Sequence, residues 1–135
     1  MSDYEKVKEE IKKSRVCPFC SFNKLQIIKE FKHWIWIDNI YPYSLNHTMI
    51  IPKRHIKTIR SFNKDEFDEF DSLLLLIVGK YKRQLGRCLI LMRDETEQQS
   101  VEHLHVHFLA TDVILEKGIP RLRMEYNPSI FKKMI

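Results

Sequence analysis

The amino-acid sequence predicts an α+β fold in which one long helix packs on an antiparallel sheet of about five strands. Three observations predict it. Short runs rich in aromatic and β-branched residues precede residue 52, a helical repeat of apolar residues covers 63–86, and two strand-like runs follow at 87–92 and 100–110. Strands on both sides of a single long helix are typical of a helix that lies on one face of such a sheet.

The first two strands are expected over 25–31 and 33–38, as an antiparallel pair. The second run alternates two sets of side chains, so each set should face one side of the sheet. The two sets are Trp34, Trp36 and Asp38, and Ile35 with Ile37. A third strand is expected over 47–51, and Pro52 should end it because proline cannot donate to the ladder.

The long helix is predicted from its period and from both of its ends. Asn63 with Glu66 predicts a capping arrangement at the start, and Gly86 stands where the helix should stop. Between them an apolar side chain recurs at every third or fourth position. These residues are Phe67, Phe70, Leu74, Ile77, Val78, Tyr81 and Leu85.

At 135 residues the chain has the size of one domain, and we expect a single domain over 1–135. Residues 1–15 are expected to form a charged arm or a shorter N-terminal helix, and 118–135 a C-terminal tail with two prolines. No segment resembles a signal peptide, and the longest apolar run, 73–78, is too short to cross a bilayer. We therefore expect a cytoplasmic protein without a membrane partner.

Charge and cysteine content narrow the range of partners. The net charge is +5, but the basic residues are spread along the chain among acidic ones. This distribution favours attraction of small phosphates, and we do not expect a nucleic-acid partner. The odd number of cysteines, three, argues against a disulfide framework, and Cys88 is expected to be a buried free thiol.

A run of alternating histidines is the main candidate for chemistry. In a strand, His103, His105 and His107 would share one face while Leu104 and Val106 anchor the other. A histidine held on a rigid strand suits nucleophilic catalysis. The alternative from the spacing alone is the exposed polar face of an amphipathic strand with incidental metal affinity.

The residues around this run resemble a known family. The segment Gln99-Ser100-Val101-Glu102-His103-Leu104-His105-Val106-His107-Phe108-Leu109 resembles the signature of the histidine-triad (HIT) superfamily of nucleotide hydrolases and transferases. Residues 39–55 resemble the upstream half of that signature, so the similarity covers roughly 17–109. The resemblance implies a HIT-like fold, in agreement with the fold class above.

The resemblance also implies roles for individual residues. His105 would attack the α-phosphorus of a nucleotide through one ring nitrogen, while a backbone carbonyl holds the other, and a covalent nucleotidyl-histidine would form. His47, His107 and Gln99 match positions that complete the catalytic group. The matching nucleotide-binding positions are Asp38, Asn39, Ile40, Gln99, Ser100, His105 and His107.

Cys17 and Cys20 have the spacing of half a structural zinc site, and the alternative is a reduced, unliganded pair. The resemblance nominates His55 and His103 as the other two ligands of a structural Zn²⁺. A closed site with four protein ligands would contribute stability and orientation, since it has no open position for substrate.

The functional expectation that follows is cleavage of adenosine phosphoramidate or a nucleoside monophosphate conjugate, with a purine nucleotide as the substrate. The alternatives are a diadenosine polyphosphate hydrolase or phosphorylase and a catalytically weak nucleotide-binding or interaction module. Asn46 replaces the glycine that the family usually has before His47, and Gln98 replaces the usual glycine of the loop before Gln99, which approaches the phosphates. The resemblance also implies a homodimer. Apolar residues of the helix beyond one stripe are consistent with a second buried face: Leu73, Leu75 and Leu76.

Overall fold

The computed structural model describes residues 17–20, 26–38, 46–94 and 103–122. Several predictions fall outside these ranges. They concern the N-terminal helix or arm over 1–15 and the site residues Asn39, Ile40, Gln99 and Ser100.

The core of the protein is a five-stranded antiparallel sheet with the order β1-β2-β3-β5-β4. The strands are β1 (Ile27–Glu30), β2 (Trp34–Asp38), β3 (Thr48–Pro52), β4 (Leu89–Met92) and β5 (Val106–Leu109). One long helix, α1 (Lys64–Leu85), separates β3 from β4 in sequence. The α+β class and the sheet of five strands are therefore confirmed.

Both faces of the sheet are covered, as the alternation in β2 indicates. Trp34 and Trp36 are buried in one cluster with residues of α1, and Ile35 and Ile37 in a second cluster that includes Phe19. All five residues of β2 are buried. The sheet thus has a helix face, which packs on α1, and an opposite face, which packs on the segment around Phe19.

The ends of α1 agree with the sequence prediction. The Asn63 side chain accepts a hydrogen bond from the Glu66 backbone N–H, and the Glu66 side chain accepts one from the Asn63 N–H. Gly86 follows the helix with φ 81°, a left-handed conformation that glycine adopts without steric cost. Within the described residues, no helix is long and apolar enough to span a membrane.

Pro52 is the last residue of β3 instead of the residue that follows it, and it pairs with Trp34. Its carbonyl accepts a hydrogen bond from the ring of His103. Pairing between β3 and β5 stops at Ile50, so no ladder bond on that side requires an N–H from the proline.

Two predictions about the second half of the chain were wrong in extent. The strand expected over 100–110 is assigned only from Val106, so His107 is the one histidine of the run that lies in it. The predicted tail boundary at Gly118 falls inside a hairpin of β6 (Val113–Glu116) and β7 (Ile119–Leu122). Lys117 and Gly118 both have positive φ, 53° and 79°, which suits a tight turn whose twist matches the strands.

A candidate active site beside a candidate metal centre

His47 and His107 meet on the sheet face opposite α1. His107 pairs with Met49, which packs in the cluster of Ile35 on that face. His47 precedes Met49 by two residues, so alternation directs it to the same side. The two rings are in hydrogen-bond contact, with 2.7 Å between His47 Nε2 and His107 Nδ1.

This histidine pair is held in the neutral form. Burial, followed by the charge of His105, lowers the pKa of His47 to about 4. The same two causes, in the same order, lower the pKa of His107 to about 3, with smaller contributions from His47 and Arg93. In a bond between two neutral imidazoles one nitrogen donates and the other accepts, so the two rings adopt complementary tautomers.

His105 lies next to this pair with one ring nitrogen engaged. Its Nδ1–H donates to the backbone carbonyl of His103 at 2.9 Å, the contact that the family resemblance implies. In the neutral ring this leaves the lone pair on Nε2. Burial is the largest cause that lowers the pKa of His105. The ring meets that of His107 edge-on, with centroids 4.9 Å apart.

The four expected metal ligands also come together. Their donor atoms, from Cys17, Cys20, His55 and His103, all lie within 4.8 Å of one another. The His55 Nδ1 is 3.1 Å from the Cys20 sulfur, and the His103 Nδ1 is 3.4 and 3.5 Å from the sulfurs of Cys17 and Cys20. These residues are separated by up to 86 positions in sequence, so the fold assembles the cluster.

The donor set fits a divalent ion of the zinc type. Tetrahedral bond lengths for zinc place a nitrogen ligand about 3.6 Å from a sulfur ligand, close to the separations found here. The Nε2–H of His103 donates to the Pro52 carbonyl at 2.7 Å, which directs the Nδ1 lone pair toward the sulfurs. Burial, followed by the hydrogen bond with Cys20, raises the pKa of the Cys17 thiol to about 11, and a metal ion would displace that proton.

Beneath the histidine pair, Tyr81 links α1 to the two strands that carry it. The fully buried hydroxyl contacts the Thr48 hydroxyl at 2.7 Å and the Phe108 carbonyl at 3.1 Å, and it donates to the Asn46 carbonyl. Asn46 precedes His47 and Phe108 follows His107. In the sequence Tyr81 is only one apolar position of the helical repeat, and the signal for its further role is a hydroxyl within a buried stripe.

Two further polar residues lie on the helix side of this region. Asp38 pairs with Thr48, so it faces α1, and the structure does not bring it to the histidine pair. Burial raises the pKa of its carboxyl group. Asn46 has φ 48°, the left-handed conformation that the family usually assigns to glycine here, and its buried side chain has no hydrogen-bond partner among the described residues.

Fold and site together define a class: an antiparallel α+β domain with a partly buried histidine pair, a third histidine whose Nε2 lone pair lies beside it, and a Cys₂His₂ cluster. A family model, the HIT domain, matches residues 22–114. The chain belongs to the HIT domain family.

Relatives from sequence comparison agree with this assignment. An uncharacterized HIT-like protein of Chlamydia muridarum is 29% identical over 83 residues, which cover 59% of this chain and 66% of the relative. A galactose-1-phosphate uridylyltransferase of Thermotoga maritima is 28% identical over 108 residues, which cover 70% of this chain and 33% of the transferase. The chain therefore spans only part of the length of either relative.

Solved structures share the fold. A HIT family hydrolase from Legionella pneumophila has a TM-score of 0.55 and 27% identity, covering 70% of this chain and 91% of that one. A hypothetical histidine triad nucleotide-binding protein from Sulfolobus tokodaii has a TM-score of 0.62 and 23% identity, covering 87% of this chain and 86% of that one. At the latter identity the likeness concerns the fold alone.

Proposed function

We propose that this protein is a HIT-type nucleotide hydrolase or transferase that breaks a bond at the α-phosphorus of a purine nucleotide with His105 as the nucleophile. The observation that carries the proposal is the state of the His105 ring. Its Nδ1–H is committed to the His103 carbonyl, so its Nε2 lone pair is available beside the buried His47–His107 pair.

The first step forms a bond between His105 Nε2 and the α-phosphorus. The bond from that phosphorus to the leaving group breaks, and the leaving group takes the electron pair. The ring becomes cationic, and its Nδ1–H bond to the His103 carbonyl stabilises the developing positive charge. In the second step water attacks the phosphorus, the phosphorus–nitrogen bond breaks, and the electron pair returns to Nε2. The attacking water loses one proton to the solvent, which leaves the nucleoside monophosphate and a neutral His105 ring.

The neighbouring histidines would bind the phosphate. If His47 donates to His107 Nδ1, the opposite nitrogen of His107 carries a proton that can donate to a phosphate oxygen. We assign Gln99 and Ser100 to the phosphate and leaving-group side, and Asp38, Asn39 and Ile40 to the nucleoside, as the family resemblance implies. The assignment of Asp38 has the least structural support, because its side chain faces α1.

We further propose that Cys17, Cys20, His55 and His103 hold a structural zinc ion. When bound, it would supply a cross-link between the segment around Cys20 and the segment that leads into His105. Because the His103 carbonyl holds the His105 ring, the ligand set also orients the nucleophile. A reduced cysteine pair suits the cytoplasm, where we expect the protein to act.

Exposed apolar side chains support a homodimer. β4 is an edge strand, and large apolar residues are exposed on both β4 and α1. They are Phe67, Leu75, Leu76, Ile90 and Met92. Sedimentation equilibrium should give twice the chain mass, and a monomer at micromolar concentration would contradict the dimer.

The enzymatic proposal is tested by incubating the protein with adenosine phosphoramidate, adenylyl-lysine and diadenosine triphosphate, followed by separation of the products. Samples denatured at alkaline pH, where a phosphorus–nitrogen bond to histidine survives, should contain the chain increased in mass by one nucleotidyl group, located on the peptide with His105. His33→Ala serves as the matched control, since His33 lies outside the site. Nucleotide binding without any product would instead identify a catalytically weak module.

A further inference from the structure

Arg93 lies directly after β4, at the end of the sheet where His105 enters β5. The register pairs Leu91 with His107 and Met92 with Val106. One further step along the same antiparallel register brings Arg93 opposite His105. Residues opposite one another in such a pair have Cα atoms about 4.5–5.5 Å apart, so the two side chains start from neighbouring positions.

The alternation of side chains directs Arg93 to the histidine side of the sheet. Leu91 shares the face of His107 because the two are paired, and Arg93 follows Leu91 by two residues. The next residue, Asp94, is fixed elsewhere: its carboxylate accepts from the Thr58 hydroxyl at 2.9 Å and from the Ile59 N–H at 2.7 Å. These bonds anchor the backbone immediately after Arg93.

Electrostatics agree with this placement. Burial is the largest cause that lowers the pKa of His107, and the positive charge of Arg93 contributes in the same direction. The guanidinium group therefore lies close enough to act on this ring. Arg93 is exposed, so its charge lies at the solvent side of the site. A substrate group that extends from the α-phosphate toward solvent would meet it there.

We propose that Arg93 binds the leaving group, so that the site prefers nucleotides whose α-phosphate is joined to a further phosphate over nucleotides joined to a neutral amine. This inference rests on the proposed function and names its substrate class. It favours the dinucleoside polyphosphate alternative over the phosphoramidate.

The preference follows from where the charge goes when the bond breaks. With a phosphate leaving group, the electron pair passes to the bridging oxygen, and the new anion is stabilised by a planar guanidinium with paired N–H donors. An amine leaving group must instead gain a proton as it departs. A fixed positive charge gives that step no stabilisation.

Steady-state kinetics on the full chain test the proposal with Arg93→Gln, Arg93→Lys and, as a matched control, Arg121→Gln in β7. Losing a charge-assisted hydrogen bond should lower kcat/KM for diadenosine triphosphate by about 10- to 100-fold. The value for adenosine phosphoramidate should change by less than about 3-fold, because the amine makes no such bond. Arg93→Lys should fall between wild type and Arg93→Gln, since it keeps the charge and loses the paired donors.

An equilibrium measurement separates this inference from the enzymatic proposal. Calorimetric titration with AMP and with α,β-methylene-ADP, which cannot be cleaved at the bridging position, gives the contribution of the second phosphate. Arg93→Gln should lower the affinity for α,β-methylene-ADP by about 10-fold and the affinity for AMP by less than about 3-fold. If wild type and every variant fail to turn over any substrate, the proposed function is wrong. The ratio of the two ligand affinities still tests the role of Arg93 in that case. If Arg93→Gln lowers the affinity for both ligands equally, or for neither, Arg93 does not bind the leaving group.

Discussion

His103 and His105 are two residues apart and use opposite ring nitrogens. His103 donates its Nε2–H to the Pro52 carbonyl and points Nδ1 at two sulfurs, whereas His105 donates its Nδ1–H to the His103 carbonyl and leaves Nε2 for the site. In each case a backbone carbonyl selects the tautomer. The same residue type thus presents a different ring nitrogen according to which carbonyl it meets, which suits His103 to the proposed metal site and His105 to the proposed nucleophilic role.

The largest expected effect separates the two histidines by function. His105→Ala removes the proposed nucleophile and should lower kcat by roughly 10⁴-fold or more, while the bound metal stays at one ion per chain. Turnover assays with metal analysis of the same preparation measure both quantities. Wild-type turnover in this variant would assign the chemistry to another residue.

The second prediction concerns the metal site and expects the opposite pattern, in which the metal is lost and turnover is only partly reduced. Cys20→Ser should lose the metal and destabilise the fold by roughly 3 kcal/mol or more, while turnover by the remaining folded protein falls by about 10- to 100-fold. Chemical unfolding followed by tryptophan fluorescence reports the stability, because Trp34 and Trp36 are buried in the core.

Cys88→Ser is the matched control for this variant, since Cys88 packs against the helix-side core and is not among the four clustered donors. It should retain the metal and lose little stability. If Cys20→Ser and Cys88→Ser lower metal content equally, the proposed ligand set is wrong.

A third prediction concerns the support under the His47–His107 pair. Tyr81→Phe keeps the ring and removes the hydroxyl, which leaves the buried Asn46 carbonyl without that donor and should cost about 2 kcal/mol of unfolding free energy. Thr48→Val removes a partner of the same hydroxyl. The two changes should therefore be less than additive in a double-mutant cycle by urea unfolding. Strict additivity would mean that the two hydroxyls do not interact.

The smallest expected effect for a single group is the pH dependence of each ring of the same pair. An ordinary histidine pKa of 6.5 is lowered in the fold to about 4 for His47 and about 3 for His107. Below pH 6.5 the two histidines bind protons in the unfolded chain but stay neutral in the folded one. Stability therefore falls as the pH drops from 6.5 toward 4, and it does not depend on these groups above pH 7.

When the pH is lowered from 7.5 to 5.5, each of the two rings should reduce the free energy of unfolding by about 1 kcal/mol. Urea unfolding at a series of pH values measures this, and His107→Gln should reduce the slope because one of the two groups is gone. An unchanged slope in that variant would show that His107 does not contribute.

The sequence predicted the parts of this protein that local periodicity determines. The side-chain alternation of β2 and the caps of α1 need only spacing and the stereochemistry of asparagine, glutamate and glycine, and both agree with the structure. The apolar repeat predicted the helix, but not every buried position in it: Phe67 is exposed and Leu73 is buried instead. The four cysteine and histidine donors were nominated through the family resemblance, and they do lie together.

The remaining features are of two kinds: one turn whose residues give a weak signal, and contacts between distant segments. No pattern in 113–122 indicated a hairpin, because its turn, Lys117-Gly118, includes a lysine at positive φ. Tyr81 was assigned to the core because an apolar period does not reveal which carbonyls its hydroxyl meets. Arg93 was not nominated, because its position opposite His105 follows from the strand register.

The sequence by itself thus determined the fold class, the long helix with both of its ends and the donor types available for chemistry. Only the tertiary structure decided where β5 begins, which carbonyl His103 and His105 each meet, and hence which ring nitrogen each turns toward the candidate sites. The physical reason is that side-chain period is a property of neighbouring residues, whereas a tautomer depends on the three-dimensional position of a hydrogen-bond partner. For His103 that partner lies 51 residues away, and for His105 the carbonyl two residues back comes within reach only because the strand does not begin until Val106.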